Sequence, residues 1–262
     1  MAHLLASLLL AAGGLALLLA DVVVVAAGDG GGGGGGKKPH VNHGKFKGGP
    51  WEVGHATFYG GRDGSGTTDG GACGYKGALA PGYGALTTAV SPALFAGGAG
   101  CGACYEVKGG EKGKSVVVTA TNQAPPAVSG QSGEHLDLTM PAFLQIAEEK
   151  AGIVPVTYRK VACARRGGIT YTIAGNPHYS MVTVTNVGGA GDVAALLVKG
   201  SKRVKWTAMR RSWGQLWVTE VDLTGESLTF RVMTGDHRKA TSWHVLPRDW
   251  QFDKTYQATK NF

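Results

Sequence analysis

Short apolar runs separated by glycine-rich turns dominate the chain from Trp51 to Cys163. Two of them, residues 115–121 (SVVVTAT) and residues 154–158 (VPVTY), are rich in β-branched side chains, which favour strands. Runs of this length between glycine-rich turns are typical of small closed sheets. The pattern therefore predicts a compact barrel of short strands in this half of the chain.

One clear helix is predicted inside that half. Thr139 can cap its start, Pro141 suits the first turn, and Gly152 ends the run. The apolar residues that recur at helical spacing are Met140, Phe143, Leu144 and Ala147. A shorter helical turn is predicted to begin at the Ser-Pro pair that starts at Ser91.

The pattern changes after Cys163. Residues 165–168 (RRGG) have the composition of a short linker, and turns rich in Gly and Asn then separate further strand-like runs. These runs are residues 169–173, 180–185, 194–198, 216–223 and 227–233. Their regular spacing predicts an antiparallel β-sandwich. No cysteine occurs in this half, so its stability must come from packing.

The N-terminal region predicts export. Residues 1–27 are rich in Leu, Ala and Val without Lys or Arg, and small residues precede a polar stretch, as in a secretory signal. A membrane anchor is the alternative, but Asp21 and a Gly-Gly pair interrupt the apolar run. Residues 28–50, a polyglycine run and a basic stretch, are expected to be a disordered leader. The expected domains are residues 51–166 and 167–262.

The net charge of +8 narrows the class of partner. In a secreted chain such a charge favours an acidic polysaccharide such as pectin over nucleic acid. A basic surface that serves only solubility explains the charge equally well.

Four cysteines are present in the exported part: Cys73, Cys101, Cys104 and Cys163. An even count in a secreted chain favours two disulfides, each worth about 3 to 4 kcal/mol for loops of this length. Three pairings are possible. A zinc site that begins at Cys101 and Cys104 is an alternative, which an oxidising compartment disfavours.

Tryptophan is concentrated in the second half, which holds five of the six in the chain. Flat aromatic rings stack on the apolar faces of pyranose sugars, whereas packing in the core is the alternative role for each of them. Trp206 differs from the others because basic residues surround it, a neighbourhood expected at a surface. Those neighbours are Lys202, Arg203 and Lys205.

A second group of polar residues lies in the first half. Asp137, just before the predicted helix, can serve as a general acid or as a neutral hydrogen-bond donor, or it can simply favour the helix dipole. Thr57 and Tyr59 alternate with apolar residues and so lie on one side of a strand.

Several long motifs resemble those of α-expansins, plant proteins that loosen cell walls. They are WEVGHATFYGGRDGSGTTDGGACGY (51–75), CGACYEV (101–107), VVVTATN (116–122), HLDLTMPAF (135–143), AGIVPVTYRKVAC (151–163), TNVGGAGDV (185–193) and WTAMRRSWGQLW (206–217). The resemblance extends in order over residues 51–262. It implies a mainly all-β chain, in which a six-stranded double-psi β-barrel like that of family-45 endoglucanases precedes an immunoglobulin-like β-sandwich that binds carbohydrate.

The resemblance also implies a set of site residues. The polar groove would comprise Thr57, Tyr59, Asp69, His135 and Asp137. Asp137 matches the general acid of the related cellulases, but the position of their second carboxylate is occupied by Gly61. Inverting hydrolysis needs that carboxylate to activate water, so the resemblance implies a protein that is not an enzyme. Asp63 and Asp69 lie nearby in sequence and leave a weak endo-β-1,4-glucanase as an alternative.

Sugar binding by the second domain is expected on an aromatic surface. We expect Trp206 and at least one of three other aromatic residues to be exposed on one face of that domain. The three are Trp213, Trp217 and Tyr179.

The family pairing joins Cys73 with Cys101 and Cys104 with Cys163. Cysteines usual in α-expansins are missing from residues 108–114, 123–124 and 127–133, so the loops beside the groove are less constrained. A structural carbohydrate binder that has lost its activity is therefore a further alternative.

The expected partners are wall polysaccharides: cellulose, matrix glucans such as xyloglucan and, because of the charge, pectin. We expect a secreted monomer of the cell wall without nucleic-acid partner, transmembrane segment, metal or organic cofactor. The chain has no Asn-X-Ser/Thr acceptor, so N-glycosylation is not expected.

Overall fold

A computed structural model describes residues 45–67, 71–76, 82–109, 113–126 and 133–262. The predicted signal segment, most of the leader and Asp69 lie outside the described residues. Residues 45–50 have no regular secondary structure, and the Gly49 amide donates a 2.8 Å hydrogen bond to the Lys160 carbonyl. The end of the predicted leader is therefore attached to the first domain.

Six of the described strands close into a barrel in the order β1-β5-β2-β4-β3-β6. Their bounds are β1 Glu52–Tyr59, β2 Thr87–Val90, β3 Cys104–Gly109, β4 Ser115–Gln123, β5 Glu134–Thr139 and β6 Val154–Val161. β1 pairs in parallel with β5, and β2 in parallel with β4, whereas the remaining pairs are antiparallel. The predicted barrel is confirmed, and its closure leaves no free strand edge.

Two short α-helices accompany the barrel, α1 Pro92–Phe95 and α2 Met140–Ile146. The predicted start of α2 at Thr139 is confirmed, but the Thr139 hydroxyl makes no cap and donates instead to the Ala85 carbonyl at 2.6 Å. α2 ends at Ile146, and Glu149–Ala151 form a separate 3₁₀ turn. Acidic residues after Ile146 disfavour continuation because the C-terminus of a helix carries partial negative charge.

The second half forms antiparallel strands in the order β13-β12-β9-β10-β11-β8-β7-β14. Their bounds are β7 Thr170–Asn176, β8 Tyr179–Thr185, β9 Ala195–Gly200, β10 Thr207–Trp213, β11 Leu216–Thr219, β12 Leu228–Met233, β13 Lys239–Leu246 and β14 Lys254–Gln257. The sequence pattern does not predict β10, β13 or β14. β10 is polar and carries three basic or hydroxyl side chains in a row, so it lacks the apolar alternation that identifies a strand.

The strands of the second half fold into two facing layers. One layer contains β9, β12 and β13, and the other contains β7, β8, β11 and β14. β10 pairs with β9 through Thr207–Met209 and with β11 from Arg210 onward, so it belongs to both layers. The ring of Tyr171 on β7 stacks on Phe230 of β12, with centroids 4.7 Å apart, and its hydroxyl lies 2.9 Å from Ser242 Oγ on β13. Strands from opposite ends of the order thus meet across the core, as a β-sandwich requires.

The barrel and the sandwich share a hydrogen-bonded interface. The Gln215 amide donates to the Cys73 carbonyl at 2.9 Å, and the Arg211 guanidinium donates to the Gly98 carbonyl at 3.1 Å. Gly98 has φ +97°, and a Cβ there would lie 2.7 Å from the backbone of Gly214. Glycine at position 98 permits both the left-handed conformation and the close approach of the two domains.

The disulfides join Cys73 to Cys101 and Cys104 to Cys163, the pairing that the resemblance implies. Cys73 also accepts the Gln215 amide through its carbonyl, so this disulfide lies at the domain interface. No described cysteine is free.

Candidate functional site

The polar residues predicted in the barrel lie on two neighbouring parallel strands. β1 and β5 pair so that Thr57 lies opposite Asp137 and His55 opposite His135. Residues two apart on a strand face the same way, so these side chains form one polar group on one side of the barrel wall. Thr57 and Asp137 are 80 positions apart in sequence, and only the pairing of β1 with β5 brings them together.

Thr57 connects the other two polar residues. Its Oγ1 lies 2.7 Å from His135 Nε2 and donates a hydrogen bond to Asp137 Oδ1 at 2.6 Å. A hydroxyl has one proton, so while Thr57 donates to Asp137 it must accept from His135, which places the imidazole proton on Nε2. A protonated Asp137 can instead donate to Thr57, which then donates to His135 Nε2. These three residues are called the relay below.

The two ends of this relay differ in exposure. His135 is 5% exposed and stacks on His55 with ring centroids 4.8 Å apart. Asp137 is only partly buried. The relay therefore runs from a buried imidazole to a carboxyl group that a ligand in the groove can reach.

Tyr59 completes the described part of the groove. Burial raises the pKa of the Tyr59 phenol, and the neighbouring charge of Asp137 raises it further, whereas the hydroxyls of Thr87 and Thr121 act in the opposite direction. The phenol therefore keeps its proton near neutral pH and remains a hydrogen-bond donor.

The loop after β1 contains Gly61, the position at which the resemblance implies that the second carboxylate of the cellulases is missing. The Gly61 amide donates to the Ser65 carbonyl at 2.8 Å, and a Cβ at Gly61 would lie 2.5 Å from Ser65 Oγ. Asp63 is exposed and accepts the Ser65 amide at 2.9 Å. Hydrogen bonds from Ser65 hold the pKa of Asp63 below its usual value, so this carboxylate stabilises the turn.

Trp217, one of the three aromatic residues considered as sugar-binding partners of Trp206, does not lie on the surface. It is 3% exposed and belongs to the sandwich core, where the guanidinium carbon of Arg211 lies 4.4 Å from its ring centroid. Its Nε1 donates to Gln215 Oε1 at 3.2 Å. Trp217 has no free face on which a sugar could stack.

Trp213 and Tyr179 lie on the outer side of the layer that contains β8 and β11. Trp213 is 49% exposed, and its ring would lie 3.2 Å from a Cβ at Gly74 of the barrel. Tyr179 is half-buried and alternates on β8 with the buried Ser180 and Val182. An exposed aromatic surface therefore borders the barrel.

Trp206 does not share that surface, so the predicted grouping of Trp206 with Trp213 and Tyr179 is wrong. Its ring packs against Trp243 with centroids 6.3 Å apart, on the layer of β9, β12 and β13. The local sequence could not reveal this because β10 belongs to both layers, and its ends are therefore on different sheets.

Trp243 was not singled out from the sequence, although it is 61% exposed. Only its position in a tryptophan-rich half pointed to it. Trp250, another tryptophan of that half, is 8% exposed and donates from Nε1 to the Glu226 carbonyl at 3.0 Å.

Known proteins with similar sequences identify the family. A model described as the expansin C-terminal domain matches residues 169–247, and one described as lytic transglycolase matches residues 87–158. Expansin-A26 of Oryza sativa subsp. japonica is 76% identical over 226 residues, which are 86% of this chain and 77% of that protein. The chain belongs to the expansin family.

Other expansins are also similar. Expansin-A32 of the same rice is 66% identical over 86% of this chain and 89% of its own length. Expansin-A23 of Arabidopsis thaliana is 44% identical over 81% of each chain.

Solved structures share the fold of this expansin. The apo crystal structure of Clavibacter michiganensis expansin superposes with a TM-score of 0.66 at 24% identity, over 81% of this chain and 98% of that one. A point mutant of the bacterial protein in complex with cellohexaose gives a TM-score of 0.65 at 23% identity, with the same coverage. At this identity the match supports the two-domain fold.

Two further properties concern the described residues only. They contain no group of three or more His, Cys, Asp or Glu side chains arranged to hold a metal ion. None of their helices is long and apolar enough to span a membrane.

Proposed function

We propose that this expansin is secreted to the cell wall and loosens it as a monomer, by disrupting non-covalent contacts between cellulose and matrix glucans such as xyloglucan, without hydrolysis. The observation that carries the proposal is the Asp137–Thr57–His135 relay in a groove with glycine at position 61. Family membership supports it, as does the cellohexaose bound to the related bacterial expansin.

The relay suits the exchange of hydrogen bonds better than bond cleavage. Inverting hydrolysis needs a second carboxylate at about 6.5 to 9.5 Å from the acid to activate water. Among the described residues of this loop, Gly61 offers none and Asp63 is engaged in its own turn, whereas Asp69 lies outside the described residues. A protonated Asp137 can donate to a glucan oxygen and so replace a bond between two glucans, each worth about 0.5 to 1.5 kcal/mol net.

The second domain would hold the polymer while the groove acts. Trp213 and Tyr179 offer aromatic faces to pyranose rings, and Trp213 lies next to the barrel. A glucan stacked there could continue toward the barrel, since the hydrogen-bonded interface between the two domains lies next to Trp213.

The test measures creep of stretched wall specimens together with the release of reducing sugar. Wild-type protein should cause creep without sugar release. Asp137→Asn keeps a hydrogen-bond donor at this position, so its creep should persist, whereas Asp137→Leu has neither donor nor acceptor and should lose most of the creep. Loss of creep in both variants, or creep retained in Asp137→Leu, would contradict the donor role.

The same measurements separate the alternatives. Soluble cello-oligosaccharides that disappear in Asp137→Asn would show a glucanase, and cellulose binding without creep would show a structural binder. Trp213→Ala should weaken cellulose binding several-fold, whereas Trp213→Phe should retain most of it because the stacking face remains.

A further inference from the structure

A second exposed aromatic group lies on the outer side of the β9–β12–β13 layer. It consists of Trp206, Arg231 and Trp243, here called the Trp243 cluster. The guanidinium carbon of Arg231 lies 4.2 Å from the Trp206 ring centroid, and the Trp206 and Trp243 rings meet edge to face at 6.3 Å. Trp206 thus contacts both Arg231 and Trp243, and Trp243 remains 61% exposed.

A β-bulge presents Trp243 to solvent. The pairing of β12 with β13 shifts between Leu228 and Phe230, and His244 in the bulge has φ +47°. The amide of His244 donates to Thr229 Oγ1 at 2.9 Å, and its Nδ1 lies 2.8 Å from Ser227 Oγ. A left-handed conformation is costly for a side chain other than glycine, and bulges commonly redirect a neighbouring side chain. Trp243 is therefore held outward by a specific local structure.

The lysine and arginine side chains on strands β9, β12 and β13 have no acidic counterpart on those strands. β9, β12 and β13 contain Lys199, Arg231 and Lys239 but neither Asp nor Glu. Arg231 donates from Nε to Thr241 Oγ1 at 3.2 Å, and no ion pair of Arg231 exists within the described part of the chain. A guanidinium without a carboxylate partner can still bind an anion through its remaining N–H groups.

An exposed indole and a guanidinium without a carboxylate partner, both in contact with Trp206, match a sugar ring that carries a carboxylate. The apolar face of the pyranose can stack on Trp243 while Arg231 binds the carboxylate. A neutral glucan would use the stacking face and leave the guanidinium without an ionic partner, so charge favours a uronic acid. We propose that the Trp243 cluster is a binding site for an acidic polysaccharide built of uronic acids, separate from the Trp213 and Tyr179 surface.

This proposal extends the polysaccharide binding proposed above but does not depend on it. The cluster lies on the opposite outer side of the sandwich from Tyr179, since the two layers face each other through Tyr171 and Phe230. One molecule could then hold an acidic matrix polymer and a glucan at the same time. Loss of one site should leave the other intact.

The experiment uses the full mature chain and isothermal titration with an α-1,4-linked oligogalacturonate. The same oligomer with methyl-esterified carboxyls and cellohexaose serve as comparison probes. Arg231→Gln should weaken oligogalacturonate binding about tenfold because it removes a charge-assisted contact. Trp243→Ala should weaken it about fivefold through lost stacking. Arg210→Gln, which removes one exposed charge elsewhere, is the matched control and should change affinity less than about twofold.

The proposal would be overturned if Arg231→Gln and Arg210→Gln lost the same amount of affinity for the oligogalacturonate. It would also be overturned if the methyl-esterified oligomer bound as tightly as the free acid, or if Trp243→Ala bound the oligogalacturonate with unchanged affinity. If Trp243→Ala folds poorly, Trp243→Leu is used instead, since it keeps an apolar group but has no aromatic face on which the sugar could stack. Trp213→Ala should weaken cellulose binding and leave oligogalacturonate binding unchanged. Failure of the wall-loosening proposal would therefore appear in creep and cellulose binding, not in these titrations.

Discussion

Replacement of Thr57 by valine tests the relay directly, because valine has nearly the shape of threonine without the hydroxyl. The change removes the 2.7 Å contact to His135 Nε2 and the 2.6 Å hydrogen bond to Asp137. His135 is 5% exposed, so its N–H would be left buried without a partner at a cost of about 2 kcal/mol. Asp137 is partly exposed and regains water, so that loss is about 1 kcal/mol. We expect Thr57→Val to lower the free energy of unfolding by about 3 kcal/mol.

Thr57→Ser is the matched control. It keeps the hydroxyl and loses one methyl group, which costs about 1 kcal/mol. Urea denaturation of the two variants should therefore differ by about 2 kcal/mol. Creep should be reduced in Thr57→Val and largely retained in Thr57→Ser, both measured at a temperature where each variant is folded. If the two variants were equally stable and equally active, the hydroxyl would not connect the groove residues and the reasoning would fail.

Two further predictions concern the sandwich. Trp217→Ala should lower the free energy of unfolding by about 4 kcal/mol because the Trp217 side chain is buried in the core. Trp213→Ala should lower it by less than about 1 kcal/mol because Trp213 is half exposed. Equal losses for the two variants in urea denaturation would refute this difference. Burial alone would raise the pKa of Glu226, but backbone N–H groups of residues 202–204 donate to the carboxylate and hold its pKa below the usual 4.5. A depressed pKa stabilises the fold above pH 4.5 and loses that effect as the pH falls through the folded-state value. Glu226→Gln should accordingly have a lower melting temperature than wild type at neutral pH, and the difference should become smaller in acid. The exposed control Glu220→Gln should melt at the wild-type temperature. A difference in melting temperature that does not change with pH would contradict this assignment.

Much of the architecture follows from local pattern. Runs of β-branched residues between glycine turns predict strands at residues 115–121 and 154–158, and the structure has β4 and β6 there. The alternation at Thr57 and Tyr59 correctly places both side chains on one side of β1. The Ser-Pro pair at Ser91 and the start of α2 after Thr139 follow from helix-start chemistry. These features depend on neighbours within a few residues, which a sequence shows directly.

The resemblance of the motifs to α-expansins contributed what local pattern could not, including the disulfide pairing. It did not reveal which aromatic residues are exposed. Trp213 and Trp217 are four positions apart, yet one is 49% exposed and the other 3%. The register of β10 against β11 shifts between Arg211 and Trp213, and a shift of one residue turns a side chain to the other face of a sheet.

By itself, then, the sequence determined the two β-rich halves, the helix starts and the basic charge, because each is encoded in short-range periodicity or composition, whereas the set of candidate groove residues came from the resemblance to α-expansins. Only the tertiary structure decided that Thr57 joins His135 to Asp137, that Trp217 is core, and that Trp206 lies with Trp243 instead of Trp213. The physical reason is that strand register and bulges are set by packing between distant segments. Pairing of β1 with β5 or of β12 with β13 depends on the whole core, and no window of neighbouring residues contains that information.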